Sequence, residues 1–135
     1  MGRSNLFAKE DTSRDPLSER VIGAAIEVHR TLGPGLLEST YRDCLEYEIR
    51  ECGLSVARDA PMTIQYKTLR IPNGYKIDLL VERELIIEIK EAVEHVLWVH
   101  EAQLLTYLRM SGIKRGLLLN FNVPLLKDGI TRMVY

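Results

Sequence analysis

The chain has no charge excess. Its 135 residues carry 18 Lys or Arg against 19 Asp or Glu, a formal net charge of −1. A protein that grips nucleic acid with its whole surface usually shows a clear basic surplus, so that mode is excluded, although a local basic groove is not. Long apolar runs are missing too, and nothing approaches the ~20 residues of a membrane span. The opening Met-Gly-Arg-Ser-Asn-Leu-Phe-Ala-Lys-Glu lacks the apolar centre of a secretion signal, so the expected setting is the cytoplasm, with no membrane partner. Cysteine is scarce. If Cys44 and Cys52 share a helix they lie ~12 Å apart along it, at ~1.5 Å per residue. That is too far for a disulfide, and they read as buried or half-buried thiols. No repeat, low-complexity tract or linker interrupts the chain. What is present, 46% apolar and 27% charged residues, suits one compact domain with a sizeable core.

Residues 1–14 are polar and without period, and read as a flexible leader to a single domain over 15–135. Asp15-Pro16 forms a helix cap followed by proline at the first helical position. Apolar residues at Val21, Ile22, Ala25, Ile26, Val28 and Leu32 predict an amphipathic helix. Gly33-Pro34-Gly35 ends it. A second helix is expected from about Leu37 to Cys52, with Leu37, Tyr41, Leu45 and Ile49 on one stripe and Gly53 as its left-handed cap. Then come a short strand over Leu54–Arg58, an alternating strand over Met62–Lys67, and a tight turn at Asn73-Gly74. Tyr75–Val81 and Leu85–Lys90 follow as strands joined by Glu82-Arg83-Glu84, and their Leu- and Ile-rich composition predicts burial on both faces. A third helix runs from about Val99 to Ser111, capped by Gly112. Gly116–Phe121 reads as a buried strand, Asp128-Gly129 as a turn, and Ile130–Tyr135 as a last strand. Helices and strands mixed in this order predict an α/β sandwich, with 85–121 a parallel strand–helix–strand crossover.

The chemistry concentrates in Tyr75-Lys-Ile-Asp-Leu-Leu-Val-Glu-Arg-Glu-Leu-Ile-Ile-Glu-Ile-Lys90. Asp78 sits in one apolar strand and Glu88-Ile89-Lys90 in the next. Period two turns Glu88 and Lys90 to the same face. Charge inside apolar strands is costly unless it is paired or holds a metal. Two carboxylates and a lysine are the minimum set for a Mg²⁺ site that hydrolyses phosphodiesters. Each residue has a plainer reading: Asp78 as an edge-strand carboxylate in water, Lys90 as a solvated strand end. Gln103 and Tyr107, four apart on one face of the third helix, either line the core boundary or lie over the site. His100 begins that helix and either faces the site or is structural. His29 and His95 have weaker claims. Glu82, Glu84 and Glu91 read as solvated turn residues. Gly35-Leu-Leu-Glu38-Ser-Thr-Tyr41 opens the second helix, where Glu38 suits the positive N-terminus and Tyr41 packs.

Taken in order, these segments resemble the GxxExxY family, a branch of the PD-(D/E)XK nuclease-like superfamily. The resemblance spans about Leu17 to Tyr135. It rests on Ile22-Gly-Ala-Ala-Ile-Glu-Val-His29, Gly35-Leu-Leu-Glu38-Ser-Thr-Tyr41, Asp78, Glu88-Ile-Lys90, His100-Glu-Ala-Gln103-Leu-Leu-Thr-Tyr107 and Asn120-Phe-Asn-Val-Pro-Leu-Leu-Lys-Asp-Gly129. It implies an αβββαβ core with a mixed central sheet flanked by helices, plus an extra N-terminal helix. It implies metal ligation by Glu38, Asp78 and Glu88, with the Ile89 carbonyl as a further ligand, and a catalytic set of Asp78, Glu88, Lys90, Gln103 and Tyr107. Ile77 stands where the superfamily pattern has proline, a departure that removes no ligand. The activity implied is a Mg²⁺- or Mn²⁺-dependent nuclease acting on DNA, with RNA second. A catalytically idle nucleic-acid-binding or assembly module on the same fold is the alternative. A metal hydrolase of another phosphoester, or an unrelated α/β protein, is the third. A homodimer or a protein partner is compatible with a domain this small. A basic stripe from Arg42, Arg50, Arg58, Lys67, Arg70, Lys76, Arg109, Lys114 and Arg115 on the site face would favour nucleic acid.

Overall fold

The computed structural model of the chain describes residues 9–10, 14–90 and 98–135. In chain order the elements are β1 (Lys9–Glu10), α1 (Pro16–Leu32), α2 (Glu38–Glu51), β2 (Val56–Tyr66), β3 (Leu69–Val81), β4 (Leu85–Lys90), α3 (Trp98–Ser111), β5 (Arg115–Asn120), a 3-10 turn (Leu126–Gly129) and β6 (Ile130–Val134). They build one mixed sheet in the order β1-β6-β5-β4-β3-β2. Among the described residues only β4 and β5 run parallel, joined through α3 as expected, and every other pair is antiparallel. Lys9–Glu10, within the stretch read as a leader, pairs with Met133 and Val134 of β6.

Local chemistry sets most boundaries. The Asp15 carboxylate accepts from the Ser18 amide at 2.9 Å, capping α1 with Pro16 just inside. Gly53 and Gly112, at φ 82° and 77°, supply the left-handed residue after α2 and α3. Glu82 and Arg83 both take positive φ in the turn between β3 and β4, and the Glu82 carboxylate is tied to the Ser55 amide at 2.7 Å. It therefore holds a turn together rather than standing only in solvent.

Apolar faces sort the layers. Leu85, Ile87 and Ile89 of β4, with Leu79, Val81, Leu117, Leu119 and Phe121, pack under α1 and α2. Ile86, Leu80 and Leu118 pack on the other side with Leu104 and Leu108 of α3. All of Leu85–Ile89 is buried, because both faces of the sheet are covered there. Gly129 is fixed by close approach: a Cβ would stand 2.0 Å from the Asn120 carbonyl oxygen.

Several expectations are corrected. The two short strands before the middle of the chain are one, Val56–Tyr66, and the hairpin turns at Lys67-Thr68. Asn73-Gly74 is inside β3. Ile71 pairs with Ile64 and Tyr75 with Met62, so residues 72–74 face Thr63 alone in a bulge. The bulge uses the positive φ of Asn73 (58°) and tolerates Pro72, which has no N–H for a ladder. Asp128-Gly129 belongs to a 3-10 turn rather than a tight turn. Cys44 is half-buried, but Cys52 is exposed. Among the described residues no helix is long and apolar enough to cross a membrane.

Candidate active site

The antiparallel ladder between β3 and β4 ends at Leu79 opposite Ile87. Just beyond it, Asp78 and Glu88 replace backbone bonds with side-chain bonds. The Asp78 amide donates to Glu88 Oε2 at 3.0 Å, and the Ile89 amide donates to Asp78 Oδ2 at 2.9 Å. Each carboxylate thus clasps the opposite strand. The strand also switches face here. Strict alternation would place Ile77 with Leu79 and Val81, yet it packs with Leu80 on the α3 side. Asp78 stands at that switch, which lets the strands part.

Glu88 is buried, with only 4% of its surface exposed. Burial and the neighbouring Asp78 carboxylate push its pKa up to about 8, with Glu38 adding to the rise, against the amide bond and Lys90, which favour the ionised form. Glu38, the first residue of α2, is therefore close enough to act on Glu88 through the field. Its place is set by Tyr41. The buried phenol donates to the Gly33 carbonyl at 2.5 Å, accepts from the Leu36 amide at 3.1 Å, and stacks on Phe121 at 4.5 Å. The Gly35…Glu38…Tyr41 spacing is thus a brace: glycine at φ 102° turns the loop, and tyrosine pins it. His29 is structural, its Nε2 bonded at 2.8 Å to the Val123 carbonyl oxygen and close to that of Phe121.

On the α3 side Lys90 Nζ donates to Gln103 Oε1 at 2.9 Å, joining two residues that the sequence had placed on separate elements. Tyr107 stacks on Tyr75 at 4.5 Å. Burial, then the Glu88 and Asp78 charges, raise the Tyr107 pKa, so the phenol stays protonated. His100 is shifted the other way, by burial and then by Lys90, so its imidazole is held neutral at pH 7. Glu38, Asp78, Glu88, Lys90, Gln103, Tyr107 and His100 are thereby linked by bonds or field around one end of β4. Glu84 is exposed. His95 and Glu91 lie outside the described residues.

Two further residues stand beside the site: Arg42, expected only as one of a basic stripe, and Asp59, which the sequence did not single out. Arg42, next to Tyr41 on α2, reaches Asp59 Oδ1 at 3.1 Å and Asp78 Oδ1 at 3.8 Å. Asp59 lies between the pairs Arg58–Leu79 and Ala60–Ile77, directly opposite Asp78. One guanidinium thus stands between two opposed aspartates. The signal available was Arg42 at one residue past Tyr41, which carried no geometry until β2 was registered on β3. Three more members of the expected basic stripe are spent elsewhere: Arg50 on Glu46, Arg58 on Asp43 and Glu46, and Arg115 on Asp15.

The donor set suits a hard divalent cation. Mg²⁺ is commonly held by one or two carboxylates with water and substrate phosphate completing the shell. Asp78 and Glu88 supply two carboxyl groups, and the raised pKa of Glu88 marks a buried group whose ionised form a cation would favour. No group of three or more His, Cys, Asp or Glu side chains gathers closely enough to form a protein-only cage among the described residues. The pattern of the PD-(D/E)XK nuclease superfamily matches residues 15–133. With this sheet, this pair of carboxylates and the lysine two residues on, the chain belongs to that superfamily. Membership implies a nuclease-like function and contact with nucleic acid in general, and nucleases of this class generally use divalent metals. No curated protein matches the chain, and no solved structure does.

Proposed function

We propose that the protein is a Mg²⁺- or Mn²⁺-dependent nuclease of the GxxExxY type that hydrolyses phosphodiester bonds of DNA, with RNA the second choice. The observation that carries this reading is the clasp itself: a buried Glu88 cross-bonded with Asp78, with Lys90 two residues beyond. Asp78 and Glu88 would hold the ion, with Glu38, whose charge reaches Glu88, and the Ile89 carbonyl as further ligands. The ion, when bound, polarises the phosphate and lowers the pKa of its water. Lys90, fixed by Gln103, keeps a positive charge beside the phosphate as negative charge builds on its oxygens. Tyr107 keeps its phenolic proton and donates a hydrogen bond. Neutral His100 can accept a proton from the attacking water.

A second reading has a specific observation behind it. One oxygen of each carboxylate closes the sheet ladder, a task that a non-cleaving nucleic-acid module would also need. Cleavage of single-stranded, duplex and branched DNA and of RNA, in Mn²⁺ and in EDTA, separates the two. Metal-dependent cutting that Asp78→Ala abolishes is expected. Binding without cutting under every metal selects the idle module.

A further inference from the structure

The hairpin of β2 and β3 is chemically unlike the rest of the chain. From residue 60 to residue 77 there is no acidic side chain, while Lys67, Arg70 and Lys76 are basic. None of the three forms an ion pair with a described residue. This stands in a protein of net charge −1, in which Arg42, Arg50, Arg58 and Arg115 are all bound to carboxylates. The hairpin also carries apolar side chains that no described residue covers. Tyr66, Leu69 and Ile71 are 59%, 55% and 39% exposed. Their register, Tyr66 opposite Leu69 and Ile64 opposite Ile71, puts them on one face. Lys67 lies 5.4 Å from the Tyr66 ring centre. The same strand runs through its bulge from Leu69 to Asp78, levels that the partner strand spans from Tyr66 to Asp59, so the tip lies ~23 Å from the clasp, at ~3.3 Å per residue.

We infer that this hairpin is a docking arm for single-stranded nucleic acid, leading an unpaired strand from Tyr66 towards the Asp78–Glu88 end of the sheet. The inference rests on the nuclease reading for the destination of the strand, though not for the binding itself. Charge complementarity selects a polyanion: three cations with no ion pair to a described residue line the arm, and its acids are absent. The apolar face selects an unpaired strand over a duplex. A duplex offers mainly phosphates to such a surface, leaving Tyr66, Leu69 and Ile71 in water. A single strand offers base faces, which stack on an exposed aromatic ring without regard to sequence. Lys67 beside that ring would meet one phosphate flanking the stacked base, and Arg70, which alternates to the other face of β3, would meet the backbone as the strand passes the end of the hairpin.

The test uses the full-length protein in EDTA, so that nothing is cut. Binding of a labelled single strand of roughly 20 nucleotides, longer than the ~4–16 of common single-strand sites, is compared with a duplex of the same length by fluorescence anisotropy. Tyr66→Ala should weaken the single strand about tenfold and the duplex hardly at all, and Tyr66→Phe should restore it. The double change Lys67→Ala, Arg70→Ala should lower the slope of log affinity against log salt by ~1.4, at ~0.7 per phosphate contact. These side chains are exposed, so melting temperature should not move, which separates binding from folding. No measurable single-strand binding overturns the inference. So does a Tyr66→Ala protein with unchanged affinity, or one that instead loses self-association. Asp78→Ala and metal titration report on the nuclease reading separately. Hairpin-dependent binding without any cleavage sinks that reading alone, and Asp78-dependent cleavage without hairpin-dependent binding sinks this one alone.

Discussion

Glu88→Gln should stabilise the metal-free protein, and the gain should grow with pH. Glu88 titrates near 8 when folded and near its ordinary 4.5 when unfolded. The folded chain therefore holds this proton over a range where the unfolded chain has released it. The resulting stability is complete below pH 4.5, declines as pH rises towards 8, and changes no further above that. Each pH unit in that window is worth ~1.4 kcal/mol, so the wild type at pH 7 has lost roughly 3 kcal/mol relative to acid pH. Glutamine has the same shape, keeps an oxygen for the Asp78 amide, and carries no proton to lose. Its new NH₂ group must find an acceptor in a buried place, which takes back ~1 kcal/mol. A net gain of ~2 kcal/mol at pH 7 remains, or ~8 °C at about 4 °C per kcal/mol for a domain of this size. The assay is thermal unfolding of both proteins in EDTA at steps from pH 5 to pH 8. The shifted groups elsewhere, such as Glu19, Glu82 and His100, are common to both and cancel in the difference. The difference should be near zero at pH 5 and largest at pH 8. A difference that stays flat across this range would refute the reasoning, because it would mean that burial does not hold the Glu88 proton.

Mn²⁺ or Mg²⁺ should raise the melting temperature of the wild type by an amount equivalent to ~2.7 kcal/mol at a hundredfold excess over Kd, and leave Glu88→Gln nearly unmoved, as calorimetric titration can check. Asp78→Ala should abolish cleavage and also cost ~1–3 kcal/mol of stability, because the Ile89 amide loses its acceptor; Asp78→Asn should recover most of the stability in denaturant melts and none of the activity. Lys90→Ala should slow cleavage ~10²–10³-fold while metal-induced thermal shifts persist. Tyr41→Phe should cost ~1–3 kcal/mol, since the Leu36 amide and Gly33 carbonyl lose their shared partner, and a variant as stable as wild type would remove the brace from the Glu38 loop.

The elements themselves were written in local patterns. Period and caps foretold α1 from Asp15-Pro16, α2 up to Gly53 and α3 up to Gly112, because a helix end needs side chains and a left-handed residue that are visible in a few neighbouring letters. The Leu- and Ile-rich run Leu85–Ile89, apolar at every position but Glu88, foretold a strand covered on both faces. Asp78, Glu88 and Lys90 were legible as a set for the same reason: charge is expensive in such a strand and must serve something. Asn73-Gly74 shows where local reading ends. The pair demands positive φ, but a bulge and a turn both satisfy that demand, and only the pairing of β2 with β3 decides between them. The clasp depended likewise on register, which sets Asp78 beyond the last ladder pair and gives its oxygen the Ile89 amide. Arg42 and Asp59 joined the site only because α2 packs across the strands, bringing together residues 17 and 36 positions from Arg42. The sequence alone thus determined which residues bear charge in apolar strands and where helices start and stop. Tertiary packing decided which charges meet, and burial of Glu88 between layers decided that its proton is held, because desolvation is a property of the assembled sheet and not of any segment of the chain.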